Sequence, residues 1–120
     1  MMDLPEITAE TWHHDNHVSL QFALGPEQSC FHGHFEGAPV LAGVIQLGWA
    51  LAFAEQKFQC RWQFRGLQSA KFQRLILPPA KLRLDIEYLP ARQLLKFRYS
   101  DAQGAYSSGA MQVEASSEQA

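Results

Sequence analysis

Apolar and polar residues alternate along most of this chain, and the alternation predicts its strands. Val18, Leu20, Phe22 and Leu24 alternate with Ser19, Gln21 and Ala23 until Gly25-Pro26 stops the run, as in a strand with one apolar face. Leu82, Leu84, Ile86 and Tyr88 alternate with Arg83, Asp85 and Glu87, and Pro90 ends that strand. Leu95, Phe97 and Tyr99 alternate with Lys96 and Arg98, and Asp101-Ala102-Gln103-Gly104 then turns the chain into a partner strand over Tyr106–Val113. Arg65–Leu77 reads as one more strand before Pro78-Pro79, with Leu67 and Phe72 as its core residues. Between the strands, Leu41–Phe58 predicts one helix that is apolar nearly all round: Leu41, Val44, Ile45, Leu47, Trp49, Leu51, Ala52, Phe53 and Ala54. A helix of that kind should be enclosed, so the expected fold class is α+β, an antiparallel β-sheet wrapped around one long central helix.

Length and composition narrow the picture. With 120 residues, 47% of them hydrophobic, the chain suits one domain with a real core and is too short for two. We expect a single domain over residues 1–114 and a disordered tail over 115–120. The longest apolar run, Val40–Ala54, is broken by Gln46 and falls short of the roughly twenty residues of a membrane span. No charged, apolar leader precedes it, so the expectation is a cytoplasmic protein. Cys30 and Cys60 lie in different segments and suggest thiols, with no disulfide framework.

Net charge is only -2, which argues against nucleic-acid binding, yet the charges are unevenly placed. Residues 1–55 hold seven acids and no Lys or Arg. Lys57, Arg61, Arg65, Lys71, Arg74, Lys81 and Arg83 then follow with no acid among them. This run is either a solvated strand face or a docking surface for an acidic partner. The histidines of Trp12-His13-His14-Asp15-Asn16-His17 look like a metal cluster, but their spacing matches no closed zinc site and neither cysteine is placed to help. No metal is expected.

The segment Phe31-x-Gly33-His34-Phe35-x-Gly37-x-Pro39-Val40-x-x-Gly43-Val44 resembles the signature of the 3-hydroxyacyl-acyl-carrier-protein dehydratases of the FabA/FabZ type, which have the hot-dog fold. Ala70-Lys71-Phe72-x-Arg74, followed by Pro78 and a strand, resembles the next block of that family. The wording Gly43-Val44-Ile45-Gln46-Leu47-x-Trp49-Ala50 is most similar to the small dehydratases of aryl-polyene biosynthesis, the ApeI-like group. The resemblance implies a single hot-dog fold, an acyl thioester substrate delivered by acyl carrier protein, no cofactor, and a homodimer or a heterodimer with a dehydratase paralogue. It assigns His34 as the base that takes the C2 proton, work that suits an imidazole near neutral pH. It assigns the backbone N–H of Gly43, at a helix N-terminus, as the donor to the thioester oxygen. Phe35, Pro39, Val44, Gly48, Trp49 and Ala52 are expected to line the acyl site, and Lys71 and Arg74 to dock the acidic carrier protein.

The chain departs from that family at the residue that should help the C3 hydroxyl leave. An Asp or Glu on the central helix, usually contributed across the dimer interface, aligns here with Gly48, and the Gln one turn later aligns with Ala52. Gln46 is not an acid, and Glu55 lies two turns away, roughly 10 Å along the axis. Glu36, two residues beyond His34, is the substitute that remains, with His32 a second proton carrier beside the turn. Three functions stay open: a dehydratase with a relocated acid or in a mixed dimer, a hot-dog acyl thioesterase in which His34 activates water, and a non-catalytic acyl-binding subunit.

Overall fold

The computed structural model describes residues 4–31 and 40–115. Among these residues six strands form one antiparallel sheet: β1 (Ala9–His14), β2 (His17–Leu24), β3 (Trp62–Phe72), β4 (Ala80–Leu89), β5 (Leu94–Asp101) and β6 (Gly104–Ala115). Their order across the sheet is β1-β2-β4-β5-β6-β3. The helix α1 (Gly43–Phe58) joins β2 to β3, so the chain passes from near one edge of the sheet to the other. No helix among the described residues is long and apolar enough to cross a membrane.

Alternation along the strands decides which face meets the helix. Val18, Leu20, Phe22 and Leu24 pair in register with Ile86, Leu84, Leu82 and Ala80, and all eight are buried. The Phe22 ring meets Trp49 at 6.0 Å and Phe53 at 5.9 Å between centroids, fixing α1 against β2. At the far end of the helix, Gln59 adopts the left-handed conformation and its N–H returns to the Glu55 carbonyl. Glu55 also accepts the Trp62 N–H at 3.0 Å, which ties the helix end to the start of β3.

Three expectations need correction. Helix α1 is not enclosed: Gln46, Trp49, Ala50, Phe53 and Ala54 are buried, whereas Val44 is 72% exposed, because the sheet of one chain covers only one side of the helix. The strand expected over Arg65–Leu77 runs from Trp62 to Phe72, and Leu67 and Phe72 are 44% and 50% exposed. They lie on the sheet's edge strand, and Leu75 and Leu77 beyond it are exposed too. Strand β1 was not anticipated, since all of its residues are exposed and no apolar alternation marks it.

Register irregularities explain how the exposed apolar residues of β3 come to share one face. Phe64, Leu67, Ala70 and Phe72 pair with Val113, Met111, Gly109 and Ser107. That spacing is impossible for a regular strand, where faces alternate every residue. Shifts between Phe64 and Gly66 and between Leu67 and Ser69 each insert one residue and return the strand to that face.

Candidate active site

The first turn of α1 is where an acyl thioester oxygen would be expected. Its N-cap residue, Ala42, makes no side-chain cap bond, and no acidic residue stands in the first turn. The leading N–H groups of a helix have no intrahelical acceptors, and the dipole there is positive, so this end favours an oxyanion.

Gly43 opens the helix beneath Phe72. A β-carbon built on Gly43 would stand 3.0 Å from Cε1 and Cζ of the Phe72 ring. Glycine therefore lets the Phe72 ring at the end of β3 approach the helix start, a packing reason that the sequence did not reveal. Just upstream, the Leu41 N–H donates to the Ile76 carbonyl at 3.0 Å, joining the entry to α1 to the segment after β3.

A buried polar lock holds this region. Gln46, 3% exposed, donates from Nε2 to the Leu41 carbonyl at 3.0 Å and accepts at Oε1 from the Ser107 hydroxyl at 2.6 Å. The Tyr99 hydroxyl donates to the Gln46 carbonyl at 2.6 Å, and burial pushes the phenol well above its ordinary range, keeping it a neutral donor. The signal for this lock was present as the one polar residue interrupting an apolar helix.

Gly48 lies half-buried on α1, as do Leu47, Leu51 and Ala52. Trp49, expected to line the acyl site, is 2% exposed and packs edge-on against Phe22. The departure from alternation is simple: Trp49 shares the buried face with Phe53, and Gly48 does not. His32, His34, Phe35, Glu36 and Pro39 lie outside the described residues.

The two docking residues separate. Lys71 is exposed on β3. Arg74 is engaged within the chain: Nη2 donates to Asp101 Oδ1 at 2.6 Å and to the Gly104 carbonyl at 2.9 Å, Nε reaches the Ala105 carbonyl at 3.3 Å, and the guanidinium lies 3.9 Å over the Tyr106 ring. It locks the β5–β6 turn. Lys57 and Arg83 are likewise paired, with Glu10 and Asp85.

An antiparallel sheet packed on one helix, with the helix beginning at Gly43, defines a hot-dog fold. Residues 10–110 match the ApeI-like family, described as ApeI dehydratase, and the chain belongs to that family. It is 34% identical over 78 residues to the 3-hydroxyacyl-[acyl-carrier-protein] dehydratase FabZ of Haemophilus influenzae, covering 58% of this chain and 53% of that protein. The chain thus spans about half the length of the curated relatives it matches. Among solved structures, it is similar to the dehydratase heterocomplex ApeI:P from Xenorhabdus doucetiae, with TM-score 0.84, 29% identity, and coverage of 91% of this chain and 96% of that one. It also resembles an uncharacterized protein from Erwinia carotovora, with TM-score 0.82, 31% identity, and coverage of 94% and 98%. A hypothetical thioesterase from Streptococcus pneumoniae, 10% identical with TM-score 0.69 over 96% of this chain and 88% of that one, shares the fold alone.

Proposed function

We propose that this chain is one subunit of a two-chain dehydratase acting on 3-hydroxyacyl thioesters carried by acyl carrier protein. It supplies His34 and the Gly43 N–H, and a paralogous partner supplies the acid. In the reaction, neutral His34 takes the C2 proton, negative charge gathers on the thioester oxygen beside the Gly43 N–H, and the C3–O bond breaks. The departing hydroxyl takes a proton from the partner's carboxyl group and leaves as water, with a double bond formed between C2 and C3.

The observation that carries this reading is Gly48 on a helix whose buried face is already filled by the chain's own sheet. The helix offers no carboxylate at that position, and Glu55 is committed to the Trp62 N–H. A second support is the uncovered apolar surface: Val44, Phe64, Leu67, Phe72, Leu75 and Leu77 are 44–72% exposed. Fully covering such a side chain contributes on the order of 1.5–3 kcal/mol, so a partner seated on the α1 and β3 side would be firmly held. The likeness to a dehydratase heterocomplex favours a paralogue over a second copy as that partner. Lys71, exposed on β3, is a cation placed to meet an acidic carrier protein.

The test is dehydration of a 3-hydroxyacyl-acyl-carrier-protein followed by mass spectrometry. The expected result is negligible turnover by the chain alone, turnover on adding the paralogue, and loss of that turnover with His34→Ala. Gly48→Asp should confer activity on the chain alone. Turnover by the isolated native chain that vanishes with Glu36→Gln would replace the borrowed acid with a local one.

A further inference from the structure

We infer that the outer face of the sheet carries a binding site for a divalent transition-metal ion of the zinc class, formed by His14, His17 and Glu87. One ligand atom from each of these three residues lies within 4.8 Å of the other two. The His14 Nε2 stands 3.8 Å from Glu87 Oε2, and the His14 and His17 rings meet edge-on at 5.6 Å between centroids.

The backbone explains why they converge. In β1, Trp12 pairs with Val18, but His14 pairs with His17, with a register shift between them. A regular strand would send His13 and His14 to opposite faces. The extra residue at the shift turns His14 to the side of His17, as bulges commonly re-aim a side chain. His17 is in turn the cross-strand partner of Glu87 on β4. The site is therefore assembled from a hairpin and a neighbouring strand, which spacing along the chain does not display.

A second grouping, His13, His17 and Asp85, has the same closeness but different commitments. Asp85 accepts from Arg83 through Nε and Nη2 at 3.1–3.2 Å and also from the Ser19 hydroxyl. His13 Nε2 is 2.7 Å from Ser19 Oγ. A guanidinium already occupies that carboxylate, so the ion belongs on the Glu87 side.

Two imidazoles and a carboxylate form a nitrogen-and-oxygen donor set suited to zinc-class ions, whose ligand bonds are about 2.0–2.2 Å. Closing the triad requires sub-ångström to ångström shifts. His14 is the movable arm, with a 57% exposed side chain. Its Nδ1 accepts the Asn16 N–H at 3.2 Å, a bond that must yield when Nε2 ligates. Lys96, paired with Glu87 across β5, flanks the site and limits its affinity.

The experiment is calorimetric titration of the untagged full chain with Zn2+, beside thermal unfolding with and without Zn2+. Saturable one-to-one binding and a raised Tm are expected. His17→Ala and Glu87→Gln should each weaken binding by well over tenfold, since even outer-shell partners of a metal commonly contribute 10- to 100-fold. His13→Ala and Asp85→Asn should retain it. Circular dichroism verifies that each variant folds, and His17→Gln replaces His17→Ala if that variant does not. No saturable Zn2+ binding, or binding unchanged by Glu87→Gln in a folded variant, overturns the assignment.

Discussion

The Phe72 ring lies across Gly43, so close that a β-carbon on the glycine would stand 3.0 Å from two of its ring atoms. The contact joins the edge strand to the helix end that is proposed to receive the thioester oxygen. It also predicts a coupling. Gly43→Ala gains helix propensity of up to about 1 kcal/mol but must push aside a ring that is half-exposed. In native protein the two effects should nearly cancel. In a Phe72→Ala background, Gly43→Ala should stabilise by up to about 1 kcal/mol, and urea unfolding of the four-member cycle measures the difference.

Gln46 should be costly to replace. In Gln46→Leu, the Ser107 hydroxyl and the Leu41 carbonyl lose their buried partner. Each unsatisfied group costs about 1–3 kcal/mol, so a loss of about 2–6 kcal/mol is expected by urea unfolding. Adding Ser107→Ala removes one of the stranded groups and should recover part of that loss.

The turn lock should reveal itself in acid. The Arg74 guanidinium, with help from the Gln103 N–H and the Tyr106 hydroxyl, lowers the Asp101 carboxyl from 3.8 to about 2. A folded value below the unfolded one means that the stabilisation is complete above the ordinary carboxylate range and lost as pH falls through about 2. The Tm difference between native protein and Asp101→Asn should therefore be largest above pH 5 and shrink steadily toward pH 2. A difference independent of pH would show that the carboxylate charge contributes nothing.

Lys71 and Arg74, adjacent in the basic run, should part in their effects. Lys71→Ala should weaken carrier-protein binding by about two- to fivefold, the scale of an exposed charge pair, and leave Tm unchanged. Arg74→Ala should lower Tm, because it releases Asp101, Tyr106 and two carbonyls of the turn. Surface plasmon resonance and differential scanning calorimetry on the two variants separate the roles.

The sequence by itself determined β2, β4 and β5 by their apolar alternation, β6 by the turn that leads into it, and the helix by a run that is apolar nearly all round. It also marked Gly48, since a missing carboxylate is visible without coordinates. Tertiary structure decided what periodicity cannot carry. Leu67 and Phe72 read as core in the sequence, yet they stand on an edge strand and are 44% and 50% exposed. Trp49 took its neighbours from the rotation of the helix, which set it and Phe53 against Phe22. Arg74 became a turn lock only when Asp101 and Tyr106 were folded back beside it. The bulges of β1 and β3 shift side chains between faces by one inserted residue, and their positions depend on the partner strand. Local preference is written along the chain, whereas the identity of a residue's neighbours follows from pairing across it.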